Sequence, residues 1–116
     1  MQLQRLNPNT NTEVETFLPA AEKIIAGEPK QQIWEHFSNS NRVFHTGVWQ
    51  SEVGKWQVNY SEDEYCLILA GVSIVTDADG NANTVKAGDQ FVIPAGFSGT
   101  WEVVETTRKV YVMYEA

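Results

Sequence analysis

Few residues of this chain can carry chemistry, and their spacing limits what that chemistry is. Glu62, Asp63 and Glu64 form an acidic run between Tyr60 and Cys66. Consecutive side chains on a strand point to opposite faces, so this run does not supply three ligands to one metal ion. His36 and His45 are the histidines, and their spacing is unlike a paired ligand set. Zinc, iron and manganese sites need three or more His, Cys or carboxylate ligands. No transition metal and no other cofactor is therefore expected, and both histidines read as ordinary strand or surface positions. Cys66 would need a neighbouring base or an electropositive setting to act as a thiolate. None is visible, so it reads as packing or at most as pocket lining. Asp77-Ala-Asp79-Gly80-Asn81-Ala-Asn83 has the alternating oxygens of a calcium loop. An EF-hand also needs Gly at its sixth and Glu at its twelfth position, where this chain has Ala82 and Gly88. A β-hairpin turn with Asp-Gly chemistry is expected instead. No Gly-rich phosphate loop, nucleophile elbow or paired-His metalloprotease motif is present.

The elements that must position these residues belong to one domain of 116 residues, long enough to bury a core without disulfides. Hydrophobic residues make up 42% and charged ones 20%, the balance of a soluble globular chain. A net charge of −7 repels phosphate backbones and offers no basic face to an anionic membrane, so neither nucleic acid nor membrane is expected as a partner. One cysteine allows no intrachain disulfide and fits a reducing compartment. The first residues carry no basic and apolar secretory pattern, and no apolar run approaches the ~18 residues of a membrane span. A cytoplasmic location is expected by default.

Residues 1–17 are polar, with the cluster Asn7-Pro8-Asn9-Thr10-Asn11-Thr12, and read as a loose arm, ordered at most against a partner subunit. Leu18 to Gly27 reads as one short helix or turn, with Pro19 in its first turn and Gly27 at its end. From residue 31 the chain reads as short strands cut by turn residues: Gln32–Phe37, Val43–Gln50, Lys55–Tyr60, Tyr65–Ala70, Val72–Thr76, Thr84–Lys86, Gln90–Ile93, Thr100–Val104 and Lys109–Tyr114. Turns at this spacing suggest an all-β sandwich or barrel. Trp56, Val58 and Tyr60 alternate with polar residues, so that set must face inward. Tyr65 to Ala70 is apolar on both faces and needs cover on both sides. A second copy of the chain is the simplest cover, with a helix or the N-terminal arm as the alternative.

Two segments resemble the two motifs of the cupin family. In the first, Gly54 to Gly71, Glu64 and Gly71 keep the spacing of the motif's Glu and its final Gly. The motif's two histidines fall on Val58 and Tyr60. The second, Gly88 to Gly99, keeps the Gly88, Pro94 and Gly96 pattern, and its histidine falls on Gly99. Of the four metal ligands only Glu64 is retained. The wording Gly47-Val-Trp49, Tyr60…Asp63-Glu64-Tyr65-Cys66 and Gly96-Phe-Ser-Gly99-Thr-Trp101-Glu is similar to one branch of small single-domain cupins. That branch includes the ethanolamine-utilisation cupin EutQ and the cupin domain of (S)-ureidoglycine aminohydrolase. The resemblance implies an all-β fold, a double-stranded β-helix or jelly-roll barrel over residues 31–116, preceded by an arm and short helix over 1–30.

It also implies a site. Cupin topology would gather residues 56, 58, 60, 64, 99 and 101 at one barrel mouth. Trp56, Tyr60, Phe97 and Trp101 would wall a small-molecule pocket, with Glu64 as its ionisable group. An acid beside aromatic walls tends to a raised pKa, and Tyr60 can donate a hydrogen bond to it or to a ligand. The alternative is that Glu64 is paired with Lys109 or Arg108 and the rings fill the barrel. Three functions follow. One is a module binding a small organic metabolite, with a ureide or amine suiting both the acid and the rings. Another is a metal-independent isomerase, epimerase or aminohydrolase-like enzyme using Glu64 as acid or base with help from Tyr60. The third is a structural dimer with a filled barrel. A second titratable group facing Glu64, from His36, His45 or Lys109, would favour the enzyme.

Overall fold

In a computed structural model, which describes residues 1–7 and 13–116, β-branched and aromatic segments separated by Gly, Pro and Asp turns form nine strands among the described residues. They are β1 (Glu15–Phe17), β2 (Ile24–Gly27), β3 (Gln31–Ser38), β4 (Phe44–Ser51), β5 (Gly54–Asn59), β6 (Asp63–Asp77), β7 (Ala82–Lys86), β8 (Gln90–Ile93) and β9 (Ser98–Tyr114). Every pairing is antiparallel. The sheet curls on itself because β6 and β9 each run through both of its layers. The C-terminal half of β9 lies between β4 and the first half of β6, with β3 and β1 beyond β4 and β8 beyond β6. The N-terminal half of β9 lies between β5 and the second half of β6, with β2 and β7 outside. This is the expected all-β jelly roll.

The core lies between the layers. Trp49 and Ile68 from one layer meet Trp56, Val75, Trp101 and Val103 from the other. The Trp49 and Trp101 rings meet edge to face, 5.4 Å between centroids. Between the layers an indole N–H and two hydroxyls are hydrogen-bonded in a chain. Trp101 Nε1 donates to Ser73 Oγ at 3.0 Å, and Ser73 Oγ shares a 2.7 Å bond with Thr107 Oγ1. Trp56 is buried and Val58 half-buried, while Gln57 and Asn59 are exposed, so the inward set of β5 is as expected. On β6, Cys66 and Ile68 are buried, and Tyr65, Leu67 and Leu69 on the outer face are half-buried.

Three local expectations need correction. Within Leu18–Gly27 the helix is one 3₁₀ turn, Ala21–Lys23, and the chain then enters β2. The β-branched pair Ile24-Ile25 favours a strand, and Ile24 pairs with Trp56 on β5. The arm is in part a strand, since β1 pairs with β3, while Pro8–Thr12 of its Asn/Thr cluster lie outside the described residues. Finally, Tyr65–Ala70 with Val72–Thr76, and Thr100–Val104 with Lys109–Tyr114, form two continuous strands rather than four. Register shifts between Ile68 and Ser73 absorb the break at Gly71, whose φ of 87° and contact with Thr106 exclude a side chain.

The Asp77 segment is a hairpin turn. Asp77 Oδ1 accepts from the N–H groups of Asp79 and Asn81, each at 2.9 Å, and Oδ2 from Asn81 Nδ2 at 3.0 Å. Gly80 takes φ 87°, which a tight turn requires. These bonds hold the Asp77 carboxyl below the usual aspartate range.

Candidate functional site

A turn in the second motif positions the ends of the first. Phe97 N–H donates to Pro94 O at 3.1 Å, closing the turn around Gly96. That turn grips the chain after β5: Gly96 N–H donates to Tyr60 O at 2.7 Å and Tyr60 N–H to Phe97 O at 2.9 Å. Asp63 Oδ1 accepts from Ala95 N–H at 2.8 Å, which anchors the start of β6. Tyr60 and Glu64 are thereby fixed on either side of one turn, with Phe97 packed edge-on against the Tyr60 ring.

Glu64 is buried, at 3% exposure, and its carboxylate is shared. Tyr60 Oη donates to Oε1 at 2.9 Å. Lys109 Nζ lies 3.2 Å from Oε1 and 3.2 Å from Oε2. The ammonium also sits over two indoles, 4.6 Å from the Trp49 ring centroid and 4.3 Å from that of Trp101. Burial works against the charge on Lys109, but its acidic neighbours Cys66 and Glu64 outweigh it and hold the ammonium above the ordinary lysine value. Burial, reinforced by Glu64, holds the Tyr60 phenol well above the usual range. Burial likewise pushes the Cys66 thiol up to about 12, with Lys109 pulling the other way, so Cys66 is an inert thiol packed beside the pair.

Beside this cluster lies a cavity of about 700 Å³ that is broadly open to solvent, so the rings wall a space rather than fill it. Its apolar wall includes Trp49, Trp56, Val58, Trp101 and Met113, and its polar floor Glu64, Lys109 and Tyr60. Gln31, the first residue of β3, also lines it; Trp49 Nε1 donates to Gln31 Oε1 at 3.0 Å. Gln31 Nε2 is buried with no partner among the described residues, a situation that ordinarily costs about 1–3 kcal/mol. At the rim, His45 places Nδ1 2.7 Å from Glu35 Oε1 and Nε2 2.7 Å from Arg42 O. Glu62 also lines the cavity, and burial raises its carboxyl.

Of the residues singled out in the sequence, Trp56, Tyr60, Glu64 and Trp101 come together on this cavity. Phe97 stands behind Tyr60 instead. Gly99 is also away from the wall: a Cβ there would lie 1.9 Å from Thr76 O. His45 lies on β4 at the cavity rim, whereas His36 does not reach the cavity. Of the two partners weighed for Glu64, Lys109 is the one found; Arg108 reaches Gln50 at 3.2 Å and lies over Trp34. Trp49 and Gln31 were missed. The inward alternation of His45, Gly47 and Trp49 could have found Trp49; nothing marked Gln31.

The donor set does not fit the transition metal common in this fold class. The histidine positions hold Val58, Tyr60 and Gly99, and Glu64 already faces an internal cation. Among the described residues, no three His, Cys, Asp or Glu side chains are placed to share a metal ion.

The doubled β-roll, with its two motifs meeting at the mouth, is that of a cupin. Residues 39–111 match the EutQ-like cupin domain family, and the chain belongs to that family. No curated protein matches it. Among solved structures, a Pseudomonas syringae protein of unknown function from the DUF861 family superposes with a TM-score of 0.82 at 19% identity, over 93% of this chain. This chain spans 46% of that protein's length. A putative ethanolamine utilisation protein EutQ from Salmonella typhimurium gives 0.66 at 23% identity, over 74% of this chain and 70% of its own. A DUF861 family protein from Thermotoga maritima is 36% identical over 55% of this chain and 73% of its own, with a TM-score of 0.54. No helix among the described residues is long and apolar enough to cross a membrane.

Proposed function

We propose that this cupin binds a small organic molecule inside its barrel. The observation that carries the proposal is the open cavity of about 700 Å³, walled by Trp49, Trp56 and Trp101 and floored by fixed polar groups. Its size and lining are those of small-molecule sites, which run to about 300–1,000 Å³. Among the described residues, Trp56 makes no hydrogen bond or ion pair with Glu64 or Lys109, so Trp56→Leu tests the cavity while keeping both charged groups. A thermal-shift screen with small organic metabolites should find compounds that raise the melting temperature of the wild type. At about 100 times its dissociation constant a ligand adds about 2.7 kcal/mol. The shift should shrink in Trp56→Leu. A ligand that stabilises both proteins equally would place binding elsewhere.

A metal-independent acid–base enzyme is the second reading, and Lys109 favours it. A second titratable group does face Glu64, and Tyr60 completes a hydrogen-bonded set of three. Such a set can hold a proton on one side and deliver it on the other. In deuterated water, a bound compound with an acidic C–H should then lose that proton signal with the wild type and keep it with Glu64→Gln. The half-buried outer face of Tyr65, Leu67 and Leu69 supports a second copy of the chain as partner. Light scattering on the purified protein should give the mass of a dimer.

A further inference from the structure

We infer that Gln31 is the polar anchor of the cavity, and that the molecule held there offers it an uncharged, carbonyl-type acceptor oxygen. The inference rests on the binding role proposed above and narrows it. Indole N–H groups only donate, so the contact from Trp49 fixes the Gln31 amide with Oε1 toward Trp49. Nε2, with both its hydrogens, is then the free end. It is buried, Gln31 is 6% exposed, and among the described residues no acceptor reaches it. Gln31 lines the cavity, so an acceptor brought in by a ligand is the partner the geometry lacks.

The paired charges argue for an uncharged group beside them, although Glu15, Lys23 and Glu62 also line the cavity. Lys109 and Glu64 engage each other at 3.2 Å, and Glu35 is taken by His45 at 2.7 Å and Arg42 at 4.0 Å. An entering carboxylate would compete with Glu64 for Lys109, and an entering ammonium with Lys109 for Glu64. An oxygen acceptor displaces nothing at Gln31, and the apolar wall of Trp56, Val58 and Met113 suits a compact hydrocarbon ring.

One ring carried through four substituents tests this: cyclohexanone, its isostere methylenecyclohexane, cyclohexylammonium and cyclohexanecarboxylate. The readouts are the side-chain amide signals of Gln31 and the indole N–H signals of Trp49, Trp56 and Trp101 in ¹H–¹⁵N spectra. Cyclohexanone should shift both sets, with the Gln31 Nε2 protons moving downfield, and bind about tenfold tighter than methylenecyclohexane. Gln31→Glu keeps an acceptor for Trp49 and removes the donor, so it should abolish that preference. If the two neutral rings bind equally and the Gln31 signals stay still, the anchor is wrong while the cavity stands. Tightest binding by either charged ring would overturn the uncharged class. If no ring moves an indole signal, the binding role itself fails and the anchor with it. The wild-type comparison decides these outcomes even if Gln31→Glu does not fold.

Discussion

Lys109 reaches Glu64 diagonally. Its backbone neighbour on β6 is Ile68, yet its ammonium lies 3.2 Å from each Glu64 oxygen. The long lysine stem runs along the inner face of β9 between the Trp49 and Trp101 rings and delivers its charge to the cavity floor.

Breaking this pair on one side strands a buried charge. Lys109→Met and Glu64→Gln should each cost about 3–5 kcal/mol in urea unfolding. Lys109→Met combined with Glu64→Gln should cost far less than the two single changes added together, because neither charge is then left alone. Strict additivity in the double-mutant cycle would mean that the two groups are stabilised independently.

Stability should fall in alkali. In the unfolded chain Cys66 loses its proton near 9.0, Tyr60 and Tyr111 near 10.0 and Lys109 near 10.5, and all four hold it to higher pH when folded. The folded protein thus binds more protons over that range, and stability declines as pH rises by about 1.4 kcal/mol per pH unit for each group in its window. Lys109 contributes fully below its unfolded value, and the contribution disappears as pH rises through its folded value. Melting temperatures should hold up to about pH 9 and drop steeply beyond it. A flat profile to about pH 11 would contradict the burial of these groups.

Restoring the missing histidine should not restore a metal site. Gly99 is where the motif places it, but a Cβ there meets Thr76 O at 1.9 Å, a backbone atom that cannot step aside. Gly99→His should lower the melting temperature sharply, and zinc should give no recovery. A folded variant that binds zinc by calorimetry would show the strand can shift.

Cys66 should resist alkylation. It is fully buried and its thiol is pushed up to about 12, so almost no thiolate exists near neutral pH. Iodoacetamide at pH 8 should label the protein in urea and leave the native protein unmodified. Rapid labelling of native protein would place Cys66 in reach of the cavity mouth.

Much of the barrel could be read from alternation and turns. Trp56, Val58 and Tyr60 declared their inward face because polar residues separate them, and Gly88, Pro94 and Gly96 marked turns that bend here for ordinary backbone reasons. Gly71 and the polar stretch Glu105-Thr106-Thr107-Arg108 looked like breaks, because a strand that bulges and continues carries the same local signals as one that ends. Ile24-Ile25 was absorbed into a helix since its partner, Gly54 to Trp56, lies far along the chain. For the site, Tyr60, Glu64, Trp56 and Trp101 followed from motif spacing. Lys109 could be named only beside Arg108 as a partner for Glu64, because the register shifts in β6 against β9 decide which residues face each other and leave no trace in composition. Gln31 was invisible for another reason: its importance is an absent partner, and only coordinates reveal that.

The two-layer path of β9 bears on how this protein is made. β4, β5 and β6 all hydrogen-bond to it, so each emerges from the ribosome before the strand that completes its ladder. Chains are synthesised at about 5–20 residues per second, so the Trp-rich inner surface stays open for seconds. The net charge of −7 makes such nascent chains repel one another, and the ladders of β4, β5 and β6 are completed only once residues 98–114 are free.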